Sequence, residues 1–443
     1  MANTTDVKLK WEPLDSEQKE LDRIDRPSLS YWEDSWRRLK QNKSAMLALV
    51  IITIIILSAI IVPSFWDFSY EDQNLALSNI PPSLDIYKLD ENNFIYITNE
   101  YKAIEVSEDG ELFNMAELMR DDKQNREYIF KVNDKPLIVD YSLFFKAKSE
   151  FINLQKRMRL DETIRSGDVE FLKRHFTDAN DHEQMLSLTQ IENILEKDIK
   201  RFEVKYDGEV VNPFKSVSNK TYIWGSDSLG RDIFIRVIYG ARVSLTVGFV
   251  AAIINFVIGV FYGGIAGYFG GRVDNIMMRI VDIISSIPMM LYVILIIVIL
   301  EPGLKSIIIA MSITYWVGMA RIVRGQVLSL REQEFVLAAK VLGGDTRRIL
   351  SKHLIPNVMG PIMVSLTMQI PSAMFTEAFL SFVGLGVSAP KASWGTLCND
   401  ALLGLLTYPY QMFFPALAMS ITILAFNIFS DGLRDALDPR LRK

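Results

Sequence analysis

The sequence predicts an all-α polytopic membrane protein with six transmembrane helices and an extracellular α+β insertion between the first and second of them. Three observations carry that expectation. Nearly half of the residues are apolar while charge is crowded into a few stretches, leaving long segments with almost none. Six apolar runs recur, at Met46–Phe65, Ser244–Tyr268, Ile283–Leu300, Ser306–Ala320, Val358–Val383 and Phe413–Phe429. The short connections between them alternate between strongly basic and nearly uncharged.

The N-terminal segment, residues 1–43, is polar to about Arg26 and then reads PSLSYWEDSWRRLKQNKSA, where Tyr31, Trp32, Trp36 and Leu39 share one helix face. Aromatic beside basic residues suit an interfacial helix on the inner leaflet, so membrane lipid is its expected partner. Residues 44–65 form the first span. The run MLALVIITIIILSAIIVPSF holds no charge and, at about 1.5 Å per residue, covers about 30 Å of hydrocarbon. A cleavable signal peptide is the rival reading, but the run is too long and lacks a small-x-small cleavage site.

Charge sets the orientation. Arg37, Arg38, Lys40 and Lys43 precede the first span, so the N-terminus is expected in the cytoplasm. Alternation then puts Arg272 and Arg279 inside, together with the loop 321–356 and the C-terminal tail. The opposite connections carry only Glu301 with Lys305, and Lys391 with Asp400. Residues 66–224 therefore fall outside, with about 31 acidic against 21 basic residues, as long translocated domains allow. FIYITNE, KAIEVSE and YIFKVND alternate like short strands, whereas Phe144–Lys200 has helical spacing, and no catalytic cluster stands out.

The core, residues 225–443, holds the remaining spans. Gly263, Gly264, Gly267, Gly270 and Gly271 suit close helix packing. Asp227, Arg231 and Asp232 are expected to form an ion network on the outer surface. Glu377 lies in an apolar span, where a carboxylate is costly; it either lines a translocation path or bonds a neighbouring helix. Gln369, in the same span, is the second path candidate, although Asn255, Gln369 and Asn427 also suit interhelical hydrogen bonds. The loop 321–356 contains RGQVLSLREQEFVLAAKVLGGDTRRILSKHLIPN, which reads as helix, turn, helix. Glu334, Ala338 and the pair Ala339 and Gly343 recur at four-residue spacing, Gly343 and Gly344 can end the first helix in a left-handed cap, Asp345 can N-cap the second, and Pro356 opens the next span.

Ala338, Ala339, Gly343 and Pro356 match the spacing of the EAA loop, and the chain there resembles the permeases of ATP-binding-cassette importers. WGSDSLGRDIFIRVIYGARVSLTVG, GYFGGRVDNIMMRIVDIISSIP, AFLSFVGLGVSAPKASWGTLCNDA and AFNIFSDGLRDALDPRLRK resemble the C-type oligopeptide and dipeptide permeases, nearly continuously from Trp224 to the end. The insertion lies outside that resemblance. The resemblance implies the type I importer permease fold in a bacterial plasma membrane, a second B-type permease chain, two ABC ATPase subunits that bind ATP and Mg, an extracellular peptide-binding protein and a peptide substrate. It also implies that a short coupling helix within Arg331–Arg348 docks on the ATPase, engaging Glu334, Leu337, Ala338, Ala339, Gly343, Asp345 and Arg348. Leu337 stands where the family often has the motif's glutamate. Dipeptide, nickel and other small-solute importers share this framework.

Other classes fit less well. No GxxxxGK[ST] phosphate loop occurs, so the chain is not expected to hydrolyse ATP, and no cofactor is expected on it. A single cysteine, Cys398, and the unpaired His175, His182 and His353 offer no metal site, and a mildly negative net charge offers no nucleic-acid partner. A membrane enzyme would need a legible catalytic constellation, and a ligand sensor would need a cytoplasmic output module.

Overall fold

The computed structural model describes residues 31–142, 145, 149, 202–387 and 390–438. Helix α1, Tyr31–Gln41, turns Leu39 inward against Ala45 and Ala436 while Trp32 and Trp36 stay exposed. Arg38 Nη1 donates to the Asp438 carbonyl at 3.2 Å. The predicted interfacial helix is thus also clamped onto the C-terminal end of α10 (Tyr410–Leu437). Helix α2, Lys43–Ser64, is capped by Asn42, whose Oδ1 accepts from Ala45 N. It packs through Ala48, Ile52 and Ala59 against Ala425 and Phe426 of α10.

Among the described residues the insertion holds ten strands, a 3-10 turn at Leu75–Leu77 and helical residues at 142, 145 and 149; the rest of the helical expectation for Phe144–Lys200 lies outside them. Strands β1 Ser83–Lys88, β2 Phe94–Ile97, β3 Ala103–Val106 and β4 Leu112–Met115 form an antiparallel meander; β10 Pro213–Ser218 completes it in the order β10-β1-β2-β3-β4. Strands β5 Glu117–Asp122, β6 Glu127–Val132, β7 Lys135–Asp140, β8 Glu203–Tyr206 and β9 Glu209–Val211 form a second sheet in sequence order. Both faces of the first sheet are covered: Leu84 and Ile86 of β1 pack with Tyr96 and Ile104, whereas Ile95 and Ile97 of β2 join the core of the second sheet. The β6–β7 hairpin turns on Asn133 and Asp134, both at positive φ, the mirror-image turn that two-residue hairpins favour. Pairing of Ser83 with Ser218 brings the two ends of the insertion together, so a long segment fits between two membrane helices.

Among the described residues five helices are long and apolar enough to cross a bilayer: α2, α3 (Ile233–Phe269), α6 (Leu304–Leu330), α8 (Thr346–Leu385) and α10. The run expected at Ile283–Leu300 is not one straight span. It is divided between α4, Gly271–Ser286, and α5, Met289–Leu300, bent by 78°. Pro288 explains the break, because it lacks an N–H and holds Ile287 extended. At 12 residues, α5 is about 18 Å long and too short to cross alone; the pair makes a sixth span only as a broken one.

Close helix packing of the glycines holds for those facing α6. A Cβ on Gly267 would lie 2.8 Å from Arg324 O, one on Gly259 2.6 Å from Met319 Cβ, and one on Gly263 would overlap Ala320 O. Gly271 meets nothing, and its positive φ instead makes the α3–α4 corner.

Candidate functional site

Two regions concentrate the unusual chemistry. The first is the loop 321–356. Gln333 ends an extended step, and α7, Glu334–Val341, follows. Val336 is completely buried among Val327, Ile349, Leu354 and Val358, pinning α7 between the ends of α6 and α8. Lys340 lies 5.4 Å over the Tyr268 ring, a second tie, to α3. Gly343 takes the left-handed conformation, φ 80°, and Gly344 N–H donates to Ala339 O at 2.9 Å. Asp345 Oδ1 accepts from Arg348 N at 3.1 Å, and Pro356 sits at the start of the regular α-helical stretch of α8, Ile355–Leu380. The cap chemistry is as expected.

The outward face differs from expectation in one respect. Glu334, Leu337, Ala338, Gly343, Asp345 and Arg348 are exposed, but Ala339 is half-buried against the core. The surface is a ridge of large apolar side chains, with Phe335 and Leu337 about half exposed and Val341 and Leu342 86% and 87% exposed. Gly343 has open space around a Cβ, whereas one on Gly344 would lie 2.7 Å from Ala339 O, so the sterically demanding glycine is Gly344.

The second region lies at the end of α3 that adjoins the insertion. Asp227, Arg231 and Asp232, expected on the surface, are all buried. Asp227 Oδ2 accepts from Arg231 Nε at 2.7 Å and also from Arg236 Nη1. The insertion covers the network: Ile80 and Ser226 pair, Asn79 N–H donates to Asp227 O at 2.9 Å, and Trp66 Nε1 donates to Asp232 Oδ2 at 2.7 Å. Burial outweighs these bonds and pushes the Asp232 carboxyl up to about 6.

Glu377 is wholly buried. Its carboxylate accepts from Ser244 Oγ of α3 and Ser381 Oγ, each at 2.8 Å. Ser244 Oγ also accepts from the backbone N–H of Trp394, at the start of α9 (Trp394–Ala401), and Trp394 Nε1 donates to Val237 O at 2.9 Å. Gly395 is pressed against Ala378 O. Glu377 thus joins α3, α8 and α9. Gln369 is half-buried, its Oε1 has no protein partner, and it lines a cavity of ≈ 680 Å³ with Gln326, Ser365, Ser372 and Arg434. The interhelical bonds expected of Asn255 and Asn427 are not formed: Asn255 is buried with neither side-chain atom partnered, and Asn427 is exposed.

Residues 259–443 match the family described as binding-protein-dependent transport system inner membrane component, and residues 30–82 match the N-terminal TM domain of oligopeptide transport permease C. The dipeptide transport system permease protein DppC of Lactococcus lactis subsp. cremoris (strain MG1363) is 33% identical over 424 residues, covering 95% of this chain and 93% of that one. This chain belongs to the oligopeptide and dipeptide permease family of ABC importers. The permease is also 56% identical over 225 residues to the oligopeptide transport system permease protein OppC of Bacillus subtilis (strain 168), covering 51% of this chain and 74% of the relative. Among solved structures, a chain of the MetNI methionine ABC transporter in an inward-facing conformation aligns with a TM-score of 0.39, 20% identity, 46% of this chain and 98% of that chain.

The Lactococcus alignment leaves out too few residues to omit the insertion, so the resemblance reaches further than the segment from Trp224 onward. Three residues of the site have no assigned role in the sequence pattern: Val336, Arg236 and Trp394. Arg236 carried a signal, since an arginine in the first turn of an apolar span is as costly as Glu377. Val336 carried none, because only tertiary packing separates it from the exposed Leu337.

Proposed function

We propose that this permease is one of two related permease chains of an ATP-driven importer of oligopeptides, paired with a B-type chain around a shared path. The observation that carries the reading is α7, a helix anchored by Val336 that turns Phe335, Leu337, Val341 and Leu342 to solvent. That ridge suits a groove on a cytoplasmic ATPase. In this reading two ABC ATPase subunits bind ATP and Mg, and this chain binds neither. The loop 321–356 and both termini face the cytoplasm, as the basic loops support, and residues 66–224 lie outside, where a peptide-binding protein delivers cargo. Leu337 and Ala338 touch the ATPase, Glu334 and Arg348 flank that contact, and Ala339, Gly343 and Asp345 hold the turn. Gln369 borders the path. Glu377 holds its outer end together, and ATP-driven closure moves α7 with α8 so that access alternates.

Dipeptides are the second reading, favoured by the dipeptide permease that is similar across the insertion as well. Uptake of labelled di- to hexapeptides by a strain lacking this gene, with and without the gene restored, tests both: restored uptake only of dipeptides selects the second, and no peptide uptake refutes both. Gly343→Trp should leave the complex in the membrane and abolish uptake while ATP hydrolysis continues. Unchanged uptake would remove the turn at Gly343 from the coupling route.

A further inference from the structure

A cavity of ≈ 890 Å³ opens beside the buried ion network, lined among others by Arg231, Arg236, Lys391, Thr396, Asn399 and Asp400. Arg231 and Arg236 are only 6% and 2% exposed, and both lean on one carboxylate, Asp227. The other acid within reach is loose. Asp400 Oδ2 stands 3.7 Å from Arg236 Nη2 and 3.9 Å from Arg231 Nη2, beyond hydrogen-bond distance, and its side chain is 51% exposed. Arg236 Nε is buried with no partner at all. Lys391 is exposed at the rim, and of the acids only Asp400 lines the cavity beside Arg231, Arg236 and Lys391.

A buried guanidinium with an unused N–H is costly unless something is meant to accept it. Its planar fork pairs bidentately with the two oxygens of a carboxylate or a phosphate, and of these only a carboxylate is carried by every peptide. We propose that this cavity is a subsite for the C-terminal carboxylate of the translocated peptide, which docks on Arg236 and Arg231 in place of the loosely held Asp400. Lys391 draws the anion to the rim, Thr396 and Asn399 supply further polar contacts, and the exposed Leu402 and Leu403 offer apolar surface for the peptide's side chains. The volume falls within the roughly 300–1,000 Å³ typical of small-ligand sites. A terminal carboxylate is present on every peptide, so such a subsite holds cargo without reading its sequence. The proposal rests on the reading of the chain as a peptide importer.

The test compares tri-alanine as the free acid with its C-terminal amide in two assays on the assembled importer. In cells, the half-saturating concentration for uptake should favour the acid by about tenfold beyond any preference of the binding protein measured separately, a difference of about 1.4 kcal/mol. Lys391→Gln, on the exposed rim, should shrink that preference a few-fold; Arg236→Lys, which keeps the charge and loses the fork, should nearly abolish it. In the purified complex without binding protein, the acid but not the amide should raise the melting temperature of the wild type, and Arg236→Lys should lose that shift. An unchanged preference in both variants, an equal loss for both peptides, or no shift with the acid overturns the subsite; equal loss would point to a strut or to a side chain of the partner permease filling the cavity. A melting shift without uptake of either peptide counts against the importer reading and leaves the subsite standing.

Discussion

Replacing Val341 and Leu342 together with aspartate separates a docking ridge from a merely structural one. Both side chains are almost fully exposed in the isolated chain, so the chain's own stability should change by no more than about 0.5 kcal/mol. If both become buried against an ATPase, each contributes about 1.5–3 kcal/mol on docking, or about 3–6 kcal/mol for the pair before the added charge is counted. At about 1.4 kcal/mol per decade, affinity for the ATPase subunits should fall at least about 100-fold. Val336→Ala is the control, because Val336 is wholly buried in the cluster that holds α7. It should cost about 2 kcal/mol of chain stability through the cavity it leaves. The assay is recovery of ATPase subunits with the tagged permease from mild detergent, alongside the melting temperature of the permease alone. Undiminished ATPase recovery with the double aspartate variant refutes the docking argument, and so does a melting temperature that falls as far as in Val336→Ala.

Three further outcomes follow from particular contacts. Gly344→Ala sets a Cβ 2.7 Å from Ala339 O, whereas Gly343→Asn has open space and a side chain that tolerates positive φ; only the first should open the α7 turn to protease in purified protein. Gly263→Val should force α3 from α6 and lower the melting temperature by several degrees, while Gly325→Ala, inside α6 with nothing near its Cβ, should leave it unchanged or raise it slightly. Asp232 has its carboxyl raised by burial to about 6, against about 3.9 in an unfolded chain. The folded state therefore holds that proton more tightly, and the contribution of Asp232 to stability is greatest below about pH 4 and is lost as pH rises through 6. Fluorescence of Trp66, whose indole donates to Asp232, should titrate with a midpoint near 6, and Asp232→Asn should flatten that transition.

Local chemistry made much of this legible. The cap at Gly343, the N-cap at Asp345 and the opening Pro356 follow from backbone preference alone, and the strands around FIYITNE, KAIEVSE and YIFKVND follow from alternation. Long-range burial was not legible. Asp227 and Arg231 look like surface charges until the insertion, whose β10 returns to β1 from the far end of the segment, seats Asn79 and Ile80 over them. The broken third span lies between these cases: Pro288 stands in plain view at the edge of an apolar run, and hydropathy averaging hides it.

Helix α8 connects the two regions. It is 40 residues long from Thr346 to Leu385, about 60 Å at helical rise, with the α7 turn at one end and the Glu377 node at the other. Neither end is plain α-helix. Ile349–Leu354 and Ser381–Leu385 are wound as π-helix, and Gly384 within the second has φ 84°. Such irregular turns concentrate at functional sites and give a long helix defined places to flex. Between them, α8 packs along α3 through Met374 and Ile370 against Gly248, where a Cβ would come within 2.8 Å of Met374. In the importer reading proposed above, that tight contact, one turn from Glu377, serves as a fulcrum. A displacement of α7 toward an ATPase would then reach Glu377, Ser381 and the adjoining cavity with the opposite sense, as alternating access would need. Filling the fulcrum with Gly248→Val should block uptake while ATPase recovery persists, and loss of ATPase recovery in that variant would refute the lever.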